Sequence, residues 1–204
     1  MDFPEGKLMT LTRMTFVASL LLSIMGCTGF QTSMPGSAAG TAGSAAVQRS
    51  YDLQDVQVVV PPDLVISEAG GYYPFADVIW RGDAYGDRGQ QITAMFETAS
   101  ARITPSLTGD VPVIAIVTLR RFHGLTELTH RSIGGIYSIE FDLEIRNARS
   151  GAVIEAARFI KADLDGPGGA AGRALEQAGQ TEKVRVTDHL TAVLLRELTS
   201  VNSQ

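Results

Sequence analysis

The clearest structural pattern in the chain lies in residues 136–162, which include IYSIEFDLEIR (136–146), NARSG (147–151) and VIEAARFIKA (153–162). Apolar and polar residues alternate without a break in the first segment, which predicts a strand with one buried and one solvated face. The second segment is typical of a tight turn, so the third is predicted to be the partner strand of a hairpin. The predicted buried face carries Tyr137, Ile139, Phe141, Leu143 and Ile145, and the solvated face carries Ser138, Glu140, Asp142, Glu144 and Arg146.

Two further extended segments precede this hairpin. Val111–Phe122 is apolar on both alternating faces as far as Arg120, which is typical of a central strand. Residues 53–60 (LQDVQVVV) are rich in β-branched side chains and end at two prolines, so they are predicted to form a strand that stops at a sheet edge. Residues 64–66 are predicted to form a second short extended piece.

Two amphipathic helices complete the pattern. Asp87 and Gln90 have the spacing of a capping box, and Pro105 follows a helical apolar period, so a helix is predicted over 88–103. After a glycine-rich stretch at 163–179, a second helix is predicted over 182–201. The predicted fold class is α+β, with an antiparallel sheet of about four strands and both helices packed on one face as a two-layer sandwich.

Composition limits the classes of function. A chain of 204 residues with 45% apolar side chains has enough material for one sizeable core, and we expect a single domain at 51–204. The formal net charge of −5 argues against the basic surface that nucleic-acid binding requires. No nucleic-acid partner is therefore expected. We expect no cofactor either.

The N-terminal segment has the pattern of an export signal. Lys7 and Arg13 precede the uncharged run MTFVASLLLSIMG (14–26), which is too short to span a bilayer, and we expect translation to start at Met9. The end of this run, with Ile24, Gly26 and the single cysteine Cys27, resembles the bacterial lipobox. That resemblance implies a signal peptide at 1–26, cleaved before a Cys27 that carries acyl chains such as palmitate. The alternative is a buried structural cysteine.

Residues 27–50 link the expected lipid anchor to the domain. They are mostly Gly, Ala, Ser and Thr, which is the composition of a flexible tether with an r.m.s. span of about 26 Å. Acyl chains on Cys27 would hold the protein at the membrane on the periplasmic side of the cell envelope. Thr28, rather than Asp, follows the cysteine, and this favours the outer membrane over the inner membrane.

An aromatic loop between the first strand and the first helix is the best candidate for partner binding. Tyrosine and tryptophan are enriched at protein interfaces, although the same side chains would equally serve as a lid on the core. The nine candidate residues are Tyr72, Tyr73, Phe75, Trp80, Arg81, Asp83, Tyr85, Asp87 and Arg88.

Metal binding and catalysis have weaker support. The loop acids Asp77, Asp83 and Asp87 have no known cation-site spacing, and no metal site is expected. The histidines lie in distant segments and would need a carboxylate such as Glu127 to complete a zinc site. A row of three acids on the predicted strand either pairs with neighbouring basic residues or docks a basic partner. These residues are His123, His130 and His189 for zinc, Glu140, Asp142 and Glu144 for the row, and Arg120, Arg158 and Lys161 for its partners.

Two long segments carry a family resemblance, VVVPPDLVISEAGGYYPFADVIWRGDAYGDRGQQI (58–92) and RRFHGLTELTHRSIGGIYSIEFDLEIRNARSG (120–151). They resemble a family of short bacterial lipoproteins that bears only a domain-of-unknown-function label. The resemblance implies export and a single domain, and it transfers no catalytic residue. The leading hypothesis is an anchored, non-catalytic binding or assembly-accessory module that binds an envelope protein or polymer. The alternatives are a small hydrolase that uses Asp83 and Asp87, and a carrier of a lipid-like ligand.

Overall fold

A computed structural model describes residues 49–200. The predicted signal peptide, Cys27 and the tether as far as residue 48 lie outside the described residues, as does Val201. Among residues 49–200 no helix is long and apolar enough to cross a membrane. The described strands are β1 (Tyr51–Val59), β2 (Val78–Ile79), β3 (Val111–His123), β4 (Gly135–Asn147), β5 (Val153–Lys161) and β6 (Leu164–Gly166). The described helices are α1 (Arg88–Ile103), α2 (Glu127–Arg131), α3 (Gly169–Gln177) and α4 (Glu182–Thr199).

The sheet has the order β1-β3-β4-β5, with β2 beside the end of β3 and β6 beside the start of β4. Strands β3, β4 and β5 are antiparallel neighbours, as predicted. Strand β1, however, runs parallel to β3, with Tyr51 opposite Val111, so the prediction of a wholly antiparallel sheet is wrong. The chain leaves β1 through α1 and returns along the sheet, and such a crossover brings the next strand back in the same direction.

The central hairpin forms as its alternation predicts. All five apolar residues assigned to the inner face of β4 are at most 1% exposed. The Asn147 side chain accepts hydrogen bonds from the backbone N–H groups of Arg149 and Ser150, which closes the turn. Gly151 follows with a φ of +71°, a conformation that favours glycine. Local turn chemistry therefore sets the register of β4 and β5.

Helices α1 and α4 pack side by side on the inner face of the sheet and enclose the core. Helix α1 has the predicted bounds, and the Asp87 side chain accepts from the Gln90 N–H at 3.0 Å as its N-cap. The Phe96 ring meets the Phe141 ring edge-on at 5.4 Å, and both side chains are fully buried. These two rings are closely packed within the core, and the lipid-carrier hypothesis stays a prediction.

Three segments predicted as loops or simple strands differ in the structure. The glycine-rich stretch 163–179 forms β6 and α3, because alanines favour the helix and Gly172 lets it approach the Pro167 carbonyl. The loop after β3 contains the short helix α2. Residues 64–66 make a single bridge, from Ile66 to Val78, and not a strand. The α+β class holds, with more strands and helices than the sequence indicates.

Candidate interaction surface

The nine candidate binding residues lie between β1 and the start of α1, and the structure separates them by burial. Trp80 and Arg88 are buried, so they are not part of the exposed surface, and Trp80 instead takes the alternative role of covering the core. Arg81 and Asp83 are half-buried. The remaining five are exposed, namely Tyr72, Tyr73, Phe75, Tyr85 and Asp87.

Trp80 belongs to the core. Its ring meets Phe122 edge-on at 5.6 Å, and its indole N–H donates to Asp83 Oδ2 at 2.8 Å. Gly82 lies against the ring so closely that an added Cβ would stand 2.3 Å from it. Trp80 therefore closes the core at the end of β2, where the polar edge of the indole finds a carboxylate.

Arg88 ties the loop to helix α1. Its guanidinium donates two hydrogen bonds to the Glu68 carboxylate, at 2.7 and 2.8 Å, and a third to the Gln91 side chain at 2.7 Å. The hydrogen bonds from Arg88 hold the pKa of Glu68 below its ordinary value despite opposing desolvation. Arg88 is thus buried and holds the loop against the start of α1.

The two acids of the hydrolase hypothesis have structural roles. Asp83 accepts hydrogen bonds from Trp80 and, at 2.6 Å, from the Lys183 ammonium group. Burial alone would raise the pKa of Asp83, but these hydrogen bonds outweigh it and lower the pKa. Asp87 caps α1. Asp83, with its lowered pKa and two bound donors, does not resemble a general acid, which needs a raised pKa. The Asp87 carboxylate is engaged with the backbone N–H of Gln90.

Exposed apolar side chains gather at one end of the sheet, and we call this set the aromatic end: Tyr72, Tyr73, Phe75, Ile133 and Ile136. Tyr73 is 93% exposed, Phe75 101% and Ile133 73%. Both tyrosines and both isoleucines line one cavity of about 290 Å³. Phe75 lines a smaller neighbouring cavity with Val65, whereas Tyr85 lines neither.

The two isoleucines of the aromatic end were not predicted as site residues. Ile133 falls in the turn after α2, and Ile136 belongs to the face of β4 that the alternation assigns to solvent. Their signal in the sequence is an apolar residue on each side of Gly134-Gly135 in an otherwise polar loop. Only the folded chain brings them beside Tyr72 and Tyr73.

Hydrogen bonds from backbone N–H groups hold the loop that carries Tyr72, Tyr73 and Phe75 of the aromatic end. The Ser67 N–H donates to the Val78 carbonyl at 3.0 Å, and the Leu128 N–H donates to the Gly70 carbonyl at 3.1 Å. The Val65 N–H also donates to the Asp77 carboxylate at 2.9 Å. Because these hydrogen bonds already fix the loop, binding a partner would not carry the entropic cost of ordering it.

A buried polar cluster lies behind this surface and joins three helices. Glu182, at the start of α4, is 2% exposed, and its Oε1 lies 3.1 Å from His130 Nδ1 on α2. The other ring nitrogen of His130 lies 3.3 Å from Glu176 on α3. Arg81 Nε lies 3.7 Å from Glu182 and 3.6 Å from Glu127. The cluster therefore fixes α2, which carries the backbone beneath Ile133.

Tyr137 borders the same cluster from β4. Its hydroxyl accepts a hydrogen bond from Arg185 at 3.4 Å, and the side chain is fully buried beside Glu182. Burial, followed by the nearby negative charge of Glu182, raises the pKa of Tyr137 well above its ordinary value. The phenol therefore stays protonated and is an uncharged neighbour of the cluster.

Comparison with protein families matches residues 51–204 to the one described as Family of unknown function (DUF6778). The chain belongs to this family. No curated protein matches this DUF6778 chain. It is similar to the crystal structure of protein XCC0632 from Xanthomonas campestris, of family DUF330, with a TM-score of 0.44 and 12% identity over 75% of this chain and 86% of that chain. It is also similar to an uncharacterized protein of known structure, with a TM-score of 0.41 and 17% identity over 74% and 99%.

The histidines of the DUF6778 domain are not brought together. His123 lies 3.5 Å from the Pro74 carbonyl, and His189 lies 3.1 Å from the Ala162 carbonyl, whereas His130 sits in the buried cluster. Within residues 49–200 no group of three or more His, Cys, Asp or Glu side chains is arranged to hold a metal ion.

The acidic row on the outer face of the DUF6778 sheet is largely compensated. Arg120 donates to Asp142 at 2.7 Å, and Arg146 pairs with Glu144. Glu140 stands opposite Lys161 in the strand register. Arg158 instead turns to the helix side and donates to Glu197 at 2.5 Å. The row thus has basic neighbours of its own, which favours the solvated-face interpretation over a docking surface.

The ion pairs of the DUF6778 domain predict weaker folding in acid. Hydrogen bonds lower the pKa values of Glu68 and Asp83, as described above. At Glu197 burial acts to raise the pKa, but hydrogen bonds from Arg158 and Arg196 prevail and lower it. Because folding favours the charged forms, their stabilisation is complete above the ordinary pKa values of 4.5 and 3.8 and is lost as pH falls through the lower folded values.

We therefore expect the free energy of unfolding to stay nearly constant from pH 7 to about pH 5 and to decrease at lower pH. Urea titrations at a series of pH values between 7 and 3 measure this dependence. The variant Glu68→Gln should have a shallower fall than the wild type, because one of the three contributing groups is removed. An equal or steeper fall in that variant would contradict the assignment.

Proposed function

We propose that this chain is a membrane-anchored, non-catalytic binding module of the bacterial cell envelope. In this proposal Cys27 carries the acyl chains, the domain lies in the periplasm, and the outer membrane holds the anchor. The aromatic end binds an envelope protein or polymer. The cluster of five exposed apolar side chains, three on the aromatic loop and two at the turn before β4 and the start of β4, is the observation that supports the proposal.

Exposure on this scale favours a binding role because apolar side chains gathered in one place reduce solubility unless something covers them. Tyrosine supplies much contact area at a low cost in side-chain entropy, and Phe75 and Ile133 add purely apolar contacts. The cavity between the tyrosines and the isoleucines can receive an anchoring side chain from a partner.

The position of the aromatic end also fits a tethered module. The chain enters at Arg49, which donates to Glu155 and to the Glu197 carbonyl beside the start of β1. The aromatic end lies at the other end of the sheet, along the 13 residues of β3, or about 40 Å. The predicted tether has an r.m.s. span of about 26 Å, so the aromatic end would be presented away from the anchoring membrane.

Two measurements test the proposal. The intact mass of protein from host membranes should correspond to a chain that begins at acylated Cys27, and Cys27→Ala should be unprocessed or released. A photo-crosslinking amino acid at position 73 or 75 should capture a discrete neighbour in intact cells, and at position 159, which is also exposed but on the outer face of β5, it should not. Ile133→Asp should reduce capture at least tenfold, because it places a charge in the apolar contact.

These measurements separate the two parts of the proposal. An unmodified N-terminus would overturn the anchor and leave the binding surface in place. Equal capture from positions 75 and 159, or capture unaffected by Ile133→Asp, would count against the aromatic end. Far-UV circular dichroism of Ile133→Asp should match the wild type, since position 133 is 73% exposed.

A further inference from the structure

Strand β1 has an open edge over its second half. At its start the edge is covered, because the Leu53 N–H donates to the Leu107 carbonyl and the Gly109 N–H donates to the Tyr51 carbonyl. In the described part of the chain, no backbone hydrogen bond joins residues 55–59 to any segment except β3. Val56 and Val58 face inward like Tyr51 and Leu53, so their amide and carbonyl groups point to the same open edge.

A groove runs beside this open edge. Its volume is about 600 Å³, and it lies between the end of β1 and the flank of α1. It is lined by the apolar side chains of Val58 and Val60, by the turn that follows Pro61, and by Thr93 and Glu97 of α1. An unpaired strand edge beside a helix is the arrangement that accepts an extended peptide as an added strand.

The charge around the groove selects the kind of peptide. Asp87 and Glu97 line it, and the exposed acid Asp63 lies between the lining residues Pro62 and Leu64. None of the described lining residues is Lys or Arg, and the nearby Arg88 is buried and paired with Glu68. A second copy of this chain would place like charges against each other, whereas a basic segment would be attracted.

The geometry points to a peptide-binding site in which an extended, basic segment of another protein adds as a strand to residues 55–59. Its main chain pairs with the open edge of β1. Alternate apolar side chains enter the groove over Val58 and Val60, and Lys or Arg side chains meet Asp87 and Glu97. This site is distinct from the aromatic end and does not depend on the function proposed for that surface.

Fluorescence anisotropy of a labelled Lys-Val-Lys-Val-Lys-Val-Lys peptide with the full chain in detergent tests the proposal. We expect saturable binding that weakens at least tenfold for the Glu-Val analogue. We also expect that one of the two alternate N-methylation patterns, on the valines or on the lysines, weakens binding at least tenfold while the other does not, because a strand pairs through one edge only.

Matched variants on one helix complete the test. Thr93→Arg should weaken binding at least tenfold by filling and recharging the groove, whereas Thr98→Arg, exposed on α1 outside the groove, should bind nearly as tightly as the wild type. Circular dichroism and the thermal midpoint check that both variants fold. If Thr93→Arg does not fold, Glu97→Lys provides a second variant of the groove.

Three results would overturn the strand-addition site. They are absence of peptide binding, equal binding of both N-methylated peptides, which indicates charge attraction alone, and a dimer by light scattering that Thr93→Arg dissociates, which identifies a second copy as the occupant.

Discussion

Replacing Trp80 with alanine should lower the free energy of unfolding by about 3–5 kcal/mol. The indole is 2% exposed, and its removal opens a cavity beside Phe122, which the rigid sheet cannot fill. It also leaves Asp83 without one of its two hydrogen-bond donors. Urea denaturation followed by circular dichroism measures the change.

The matched control is Phe75→Ala. Phe75 comes from the same aromatic loop but is 101% exposed, so its truncation should change the free energy of unfolding by no more than about 0.5 kcal/mol. The two aromatics would then divide cleanly into a core residue and a surface residue. Similar effects from both substitutions would contradict this division and return Trp80 to the candidate contact surface.

Replacing Glu182 with alanine should cost about 3–5 kcal/mol, because it removes one partner of a buried ion cluster. The carboxylate is 2% exposed and stands between Arg81 and His130. Without it, Arg81 keeps its charge in a partly buried position with weaker compensation, and contacts between α2 and α4 are lost. Urea denaturation at pH 7 measures the loss.

Glu97→Ala is the control for this prediction. Glu97 is an exposed glutamate on α1 without a described ion-pair partner, and its truncation should change the free energy of unfolding by about 0.5 kcal/mol or less. Hydrogen exchange should also show faster opening of α2 in Glu182→Ala than in Glu97→Ala. If Glu182→Ala unfolded at the same urea concentration as the wild type, the cluster would not be what joins these helices.

Local signals in the sequence predicted several elements with their bounds. Asp87 and Pro105 delimit α1, because a side-chain cap and a missing N–H act within one turn of the helix. The alternation along β4 identifies its buried face, and Asn147 with Gly151 identifies the turn that follows. Each of these signals depends only on residues a few positions apart, so it can be recognised in the amino-acid sequence.

The predictions that failed depended on distant residues. The alternation in β1 is the same whether its neighbour runs parallel or antiparallel, so the direction of the β1–β3 pair was not readable from it. Tryptophan is a residue type that is common at interfaces, but the position of Trp80 directly after β2 places its ring against Phe122 in the core. Helix α3 was not predicted because the many glycines of its segment indicated a loop. Its alanines favour a helix, and Gly172 allows the close approach to Pro167.

The candidate surface was also predictable only in part from the sequence. Aromatic content alone indicated the loop that carries Tyr72, Tyr73 and Phe75. Tertiary structure decided which of its residues face solvent, joined Ile133 and Ile136 to them across about 60 residues of chain, and placed the acids of α1 beside the open edge of β1. Periods, caps and turns could be predicted from the order of residues, because they arise from short-range geometry. Burial and the meeting of surfaces were decided only by long-range packing, since they depend on which segments fold against one another.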